Sequence, residues 1–86
     1  AARLLTYKAA ALRDAGERFS YESAIAKLFV SEATGKIADM ALQIHGGYGF
    51  IRELPLERYV RDARILRIFE GASEVQRNIL GRMLMR

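Results

Sequence analysis

The sequence predicts an all-α domain built as an antiparallel helical bundle. Three observations lead there. Apolar residues recur at helical spacing in four stretches, and no run alternates or concentrates β-branched residues as a strand would. Helix-stopping glycines separate the stretches, at Gly16 and again at Gly46, Gly47 and Gly49, while the single proline, Pro55, suits a first helical position. The connections are short, which favours antiparallel neighbours.

The first helix is predicted near residues 3–15, with Leu4, Leu5, Ala11 and Leu12 on one stripe and Gly16 as its stop. Ser20 is the expected N-cap of a long helix near residues 21–45, whose apolar face comprises Ile25, Leu28, Phe29, Ala33, Ile37, Met40, Ala41 and Ile44. At ~1.5 Å per residue it spans roughly 36 Å. Gly35 inside it costs about 1 kcal/mol relative to alanine, so a close helix crossing is expected there. The run His45-Gly46-Gly47-Tyr48-Gly49-Phe50 ends the helix with a backbone that can take positive φ and let another group approach closely. A helix stop with aromatic anchors and a turn against a phosphate or flat ring both fit that run. A third helix is predicted near residues 55–63, with Leu56, Tyr59 and Val60 apolar, and Arg64 to Phe69 reads as a loop. The last helix, near residues 74–85, carries Val75, Ile79, Leu80 and Met83, with Arg82 and Arg86 at its C-terminal end. Ser73 and Gln76 stand at capping-box spacing, so Glu70 and Gly71 fall in the turn before a helix N-terminus, a place that favours anions.

Composition narrows the function classes. A chain of 86 residues is one small domain, and at 51% hydrophobic it can bury a core. Without cysteine there is no disulfide framework or thiolate metal site, and one histidine makes a zinc site a poor expectation; no metal site is assigned. No apolar run is long enough for a membrane span. The net charge of +4 is mild and well mixed: it tolerates an anionic ligand but is not the clustered basic face of a nucleic-acid binder. Arg58, Arg61, Arg64 and Arg67 recur every three residues with Glu57 and Asp62 among them, the pattern of a salt-bridged surface. The chain starts Ala1-Ala2-Arg3, without Met or a signal-peptide pattern, and a piece of a longer chain is expected. The apolar stripes are wide for one small bundle, so part of them is expected to face further helices or another subunit.

Five segments in order resemble the C-terminal helical domain of the acyl-CoA dehydrogenase family. They are Leu5-Thr6-Tyr7-Lys8-Ala9-Ala10, Ala26-Lys27-Leu28-Phe29, Gln43-Ile44-His45-Gly46-Gly47-Tyr48-Gly49, Pro55-Leu56-Glu57-Arg58 with Arg61-Asp62-Ala63-Arg64-Ile65, and Ile68-Phe69-Glu70-Gly71-Ala72-Ser73-Glu74-Val75-Gln76-Arg77. Each is weak alone; together, at family-like spacing over nearly the whole chain, they are specific. The resemblance implies a flavoprotein about four times this length, holding FAD and oxidising an acyl-CoA thioester to its 2,3-enoyl-CoA.

By that resemblance Glu70 is the catalytic base for the α-proton, and Gly71 leaves room for substrate. Such a base must be a carboxylate whose proton affinity desolvation can raise, because an α-proton beside a thioester is weakly acidic. Ala72, Ser73 and Glu74 would lie along the cofactor; the family usually has threonine where this chain has Ala72, which removes one hydroxyl. Gln43, Ile44, His45, Gly46 and Gly47 resemble the segment that packs on the adenosine half of an FAD held mainly by a neighbouring subunit. Arg61, Asp62 and Arg64 would form a charged network that orients the Glu70 loop. The resemblance further implies a homotetramer, an electron-transfer flavoprotein as acceptor, and a bacterial cytoplasmic or mitochondrial-matrix setting. An acyl-CoA oxidase-type relative and a non-catalytic helical oligomerisation or interaction module are the alternative readings.

Overall fold

The computed structural model describes residues 1–85; Arg86, expected at the end of the last helix, lies outside them. Five α-helices succeed one another: α1 (Ala2–Asp14), α2 (Ser20–His45), α3 (Gly47–Phe50), α4 (Leu56–Arg64) and α5 (Ser73–Leu84), with a 3₁₀ turn at Ile65–Arg67 between α4 and α5. No strand occurs among the described residues, so the class is all-α. The helix α2 is the axis of the fold, and α1, α3, α4, α5 and the 3₁₀ turn all pack against it. The result is a slab of 48 × 25 × 18 Å.

Local chemistry explains the breaks. α1 stops in a Schellman arrangement: Gly16 takes φ +73°, its N–H donates to Arg13 O at 3.0 Å, and the Glu17 N–H donates to Leu12 O at 2.9 Å. At the start of α2 the expected cap is absent. Ser20 is already the first helical residue, Phe19 precedes it, and no side chain caps the end. α2 ends at Gly46, whose φ of +62° is open to glycine, and the chain then makes the single turn α3 rather than a plain loop. Gly49 in that turn is buried, and an added Cβ would collide with the Leu42 carbonyl oxygen. The segment read as a loop after residue 63 is helical: α4 runs to Arg64, and the 3₁₀ turn succeeds it, with Phe69 N–H donating to Ile65 O at 3.0 Å.

The packing corrects the apolar stripes. In α1 the less exposed side is Ala2, Leu5, Ala9 and Leu12, whereas Leu4 is exposed, as is Ala11. In α2, Phe29 is 44% exposed, Ile37 60% and Ile44 84%. The most buried residues of α2 are instead small: Ala24 and Ser31. Lys27 and Gly35 share that side at helical spacing, and both are half-buried. Short side chains let the 3₁₀ turn and its neighbours approach the α2 backbone. Gly35 is not a helix crossing: the Arg67 guanidinium lies over it, 3.7 Å from where a Cβ would stand. Ser31 and Thr34 satisfy their hydroxyls within α2, donating to Leu28 O at 3.2 Å and Val30 O at 2.7 Å.

Glu32 ties α2 to the 3₁₀ turn and to α5. Its carboxylate lies 3.5 Å from Arg67 Nη1 and 3.8 Å from Arg77 Nη2 on α5. The Ser73 hydroxyl beside it, then these two guanidinium groups, hold the carboxyl below the ordinary value of 4.5, against the opposing effect of burial. Ser73 Oγ itself is buried and makes no hydrogen bond of full geometry, so its influence on Glu32 is one of proximity and orientation.

Two stability measurements test this packing in the full-length protein. Gly49→Ala is expected to cost about 1–3 kcal/mol by overpacking, whereas Gly35→Ala is expected to be neutral or to stabilise by up to about 1 kcal/mol, because a methyl there meets the Arg67 side chain at ordinary contact distance. Urea unfolding checks both signs. Glu32→Gln is expected to cost about 1 kcal/mol at neutral pH. A carboxyl depressed in the folded state contributes stability that is present above 4.5 and is lost as pH falls through its folded-state value. The two proteins should therefore converge in acid; a gap that stays constant from neutral pH into strong acid would contradict the ion-pair account.

Candidate functional site

The strongest backbone anomaly is at Glu70. It has φ +52° and is the one non-glycine residue at positive φ among the described residues; Gly71 comes next at φ +92°. A non-glycine residue in the left-handed region costs about 1–2 kcal/mol, so something must hold this turn. The hydrogen bonds show what does. Lys27 Nζ, from the inner side of α2, donates to Leu66 O and to Gly71 O, each at 2.7 Å. The two carbonyls bracket residues 67–70, so one ammonium closes the turn that carries Glu70. Hydrogen bonds to a charged group contribute about 1.5–3 kcal/mol each, and two of them, in a half-buried setting, outweigh the backbone strain. Gln76 Nε2 adds a longer bond to Gly71 O, at 3.5 Å.

The capping box expected from Ser73 and Gln76 does not form. Ala72 stands at the N-cap, its carbonyl already accepting from Gln76 N–H at 3.0 Å, and Ser73 is the first helical residue. The helix begins one residue early because the Gly71–Ala72 backbone turns straight into it. Ser73 is then carried inward to 3% exposure, and the Gln76 amide turns back onto Gly71, where an added Cβ would strike it. Gly71 therefore has an internal reason to be glycine: its positive φ and the Gln76 side chain pressed against it. The network that steadies the turn is also not the expected one. Arg61 pairs with Glu57 on its own exposed helix face, Nε to Oε2 at 2.8 Å, and this pairing is the main cause of the lowered Glu57 pKa.

The candidate residues form two groups. Glu70, Gly71, Ala72, Ser73 and Glu74 are consecutive from the strained turn into the first turn of α5, with Glu70 and Glu74 exposed and Ser73 buried. Ala72, Ser73 and Glu74 share a cleft of about 290 Å³ with Glu32, Arg64, Arg67 and Ile68. Arg67 Nε and Ser73 Oγ are buried there without hydrogen-bond partners, and α5 has no side-chain cap. The uncapped helix start and the exposed Arg64 suit an anionic or polar ligand, while Arg67 is engaged by Glu32, and Glu32 and Glu74 bring negative charge to the same cleft. A larger hollow of about 830 Å³ lies over the C-terminal half of α5, but its lining of Arg77, Asn78, Gly81, Arg82, Leu84 and Met85 offers no comparable set.

The second group, Gln43, Ile44, His45, Gly46 and Gly47, is exposed at the far end of α2. His45 Nδ1–H donates to Ala41 O at 2.8 Å, which anchors the ring to its own helix. Lys27 marks the Glu70 end of α2, and 16 residues of helix separate it from Gln43, roughly 24 Å at the α-helical rise. The chain does not bring the two groups together. Sequence reasoning missed the roles of Lys27 and Glu32, and it read Gln76 as a capping-box residue where its amide instead packs on Gly71. Lys27 had a signal, a lone lysine on the small-residue side of a long helix, but hydropathy reads it as solvent-facing.

The family described as acyl-CoA dehydrogenase, C-terminal domain, matches residues 1–85. The rat mitochondrial short-chain specific acyl-CoA dehydrogenase is 53% identical over 85 residues, covering 99% of this chain and 21% of that protein. The caffeyl-CoA reductase–Etf complex subunit of Acetobacterium woodii is 44% identical over 86 residues, covering all of this chain and 23% of that protein. The solved butyryl-CoA dehydrogenase of Megasphaera elsdenii superposes with a TM-score of 0.97 at 44% identity, over 99% of this chain and 22% of that one. The chain thus spans about a fifth of the length of the relatives it matches. On fold and sequence together, it belongs to the acyl-CoA dehydrogenase family.

Proposed function

We propose that this chain is the base-bearing C-terminal part of an FAD-dependent acyl-CoA dehydrogenase that introduces a 2,3 double bond into an acyl-CoA thioester. The observation that carries the reading is an exposed carboxylate held at positive φ in front of an uncapped helix start. Residues at strained backbone positions cluster where chemistry demands fixed geometry, and here the strained residue is one that can take a proton.

The residues fit a flavin cofactor. The cleft at the start of α5 offers an uncapped helix N-terminus and the exposed Arg64, donors suited to flavin or phosphate oxygens. Ala72 adds backbone only. Glu74, in the first turn, would orient by its side chain. FAD, when bound, accepts the hydride that leaves the β-carbon. Glu70 removes the α-proton, and its own N–H donates to the thioester oxygen, where charge gathers as the proton departs. Gly71 presents bare backbone to the substrate beside it. The exposed group from Gln43 to Gly47 serves the adenosine half of an FAD belonging to a neighbouring subunit in a homotetramer, which explains why it lies so far from Glu70. An electron-transfer flavoprotein as redox partner is supported by the Acetobacterium relative, which is a subunit of an Etf complex.

That relative is named a reductase, which favours one second reading: the same site run backwards on an enoyl-CoA, with Glu70 delivering the proton to the α-carbon and a reduced flavin, if bound, as the source of hydride. Both directions require the same carboxylate. Glu70→Gln in the full-length protein is expected to keep FAD and acyl-CoA binding and to slow flavin reduction by about a thousandfold or more. Anaerobic stopped-flow bleaching of the flavin by a panel of saturated acyl-CoAs measures this, and normal bleaching in the variant would remove Glu70 from the mechanism.

A further inference from the structure

Lys27 is placed unlike an ordinary surface lysine. Its stem lies on the small-residue side of α2, and its ammonium donates two short bonds to carbonyls 39 and 44 residues further along the chain. Leu66 O lies in the 3₁₀ turn that extends α4, an end where unpaired carbonyls favour a cation. Gly71 O lies immediately after the strained Glu70. One side chain thus joins the two feet of the turn and sets it against a rigid helix of 26 residues. Gln76 also reaches Gly71 O, but at 3.5 Å and without a formal charge. Glu32 reaches the Arg67 side chain in the 3₁₀ turn and the Arg77 side chain on α5, but neither ion pair engages the backbone between Leu66 and Gly71. Among these contacts, those of Lys27 alone reach both feet at short range.

We propose that Lys27 is a positioning residue for proton abstraction: it fixes the backbone of residues 66–71 so that the Glu70 carboxylate and N–H meet the substrate in register. The inference rests on the reading of Glu70 as the base. A displacement of about 1 Å at a reacting group can cost on the order of a hundredfold in rate, and losing both carbonyl ties frees the turn to move by that much. The bonds of Lys27 go to the backbone carbonyls of Leu66 and Gly71 and not to the Glu70 carboxylate, so its removal should leave ground-state binding in place.

The test uses the full-length flavoprotein with Lys27→Met, which keeps most of the stem and removes both donors, and Lys27→Arg, which keeps a cation with several N–H groups. Each is measured for FAD content by visible spectrum, for affinity toward a 2-enoyl-CoA, which binds without reducing the flavin, and for flavin reduction at saturating saturated acyl-CoA. The methionine variant is expected to retain FAD, to bind the enoyl-CoA within about threefold of wild type, and to reduce flavin about 10- to 100-fold more slowly. The arginine variant is expected to fall between the two. The proposal is overturned if the methionine variant reduces flavin at the wild-type rate, or if its slower rate is matched by lost FAD or weakened enoyl-CoA binding, which is the signature of a purely structural tie. Glu70→Gln run alongside separates the two ideas. If that variant reduces flavin normally, the base assignment fails; if it is blocked while Lys27→Met is unimpaired, only the positioning role fails.

Discussion

One ammonium group meeting two carbonyls is the interaction on which the candidate site depends. Lys27 Nζ stands 2.7 Å from Leu66 O and 2.7 Å from Gly71 O, and between those points the chain passes through a left-handed glutamate. A turn of this kind, left to itself, would relax Glu70 to negative φ and swing its side chain elsewhere. The tie makes the strained arrangement the stable one. It does so without covering the carboxylate, since the bonds go to backbone oxygens and leave Glu70 exposed. Strain and exposure are therefore separable here: the backbone is held from behind, and the functional group stays free in front.

The same logic explains why α2 buries small and polar residues rather than its large apolar ones. Ala24, Lys27, Ser31 and Gly35 form the side on which the 3₁₀ turn and its flanking helices rest, and Arg67 lies flat over Gly35. Bulky side chains there would lift the turn beyond the reach of Lys27. Phe29, Ile37, Met40 and Ile44 consequently fall on other sides of the helix, and they are largely uncovered. Ala24 and Ala63 are the buried apolar residues of the described chain, and no large side chain is fully enclosed within it. Exposed apolar area on this scale is characteristic of surfaces that pack against something else.

How much the sequence conveyed depended on which forces leave a pattern. The all-α class was legible because periodicity is summed over many residues and survives local exceptions. The stop at Gly16 was legible because positive φ selects glycine. The stretch around Glu70 stood out as a candidate site through its resemblance to a family motif, not through its chemistry. The rest was hidden for physical reasons. Hydropathy weighs side-chain size and polarity, so it assigned the α2 interior to Ile37 and Ile44 and left Lys27 and Ser31 outside; burial there is decided by how closely two backbones approach. Ser73 and Gln76 have the spacing of a capping box, but spacing does not reveal that the helix starts one residue early and turns Ser73 inward. Arg61 and Glu57 lie four apart and satisfy each other locally, as the salt-bridged surface read from the basic cluster implies, and not in the network that the family resemblance implied for the Glu70 turn. Glu32, Arg67 and Arg77 meet only in three dimensions.

The distance between the two candidate groups carries a further consequence. Both are fixed to α2, one through Lys27 near its beginning and the other at and just past its end, and Lys27 and Gln43 are roughly 24 Å apart by helical rise. A helix of this length, packed on several sides, holds that spacing as a rigid rod. If the turn at Glu70 faces the reactive end of one cofactor, the exposed end from Gln43 to Gly47 is set at a fixed offset and direction from it. Two surfaces so separated on one rod are readily used together when copies of the chain are arranged by symmetry, each lending its far end to its neighbour's ligand. The helix α2 is thus a spacer between the two candidate surfaces as well as the support of one. The break at Gly46, with φ +62°, ends the rod sharply and leaves open backbone at that exposed end.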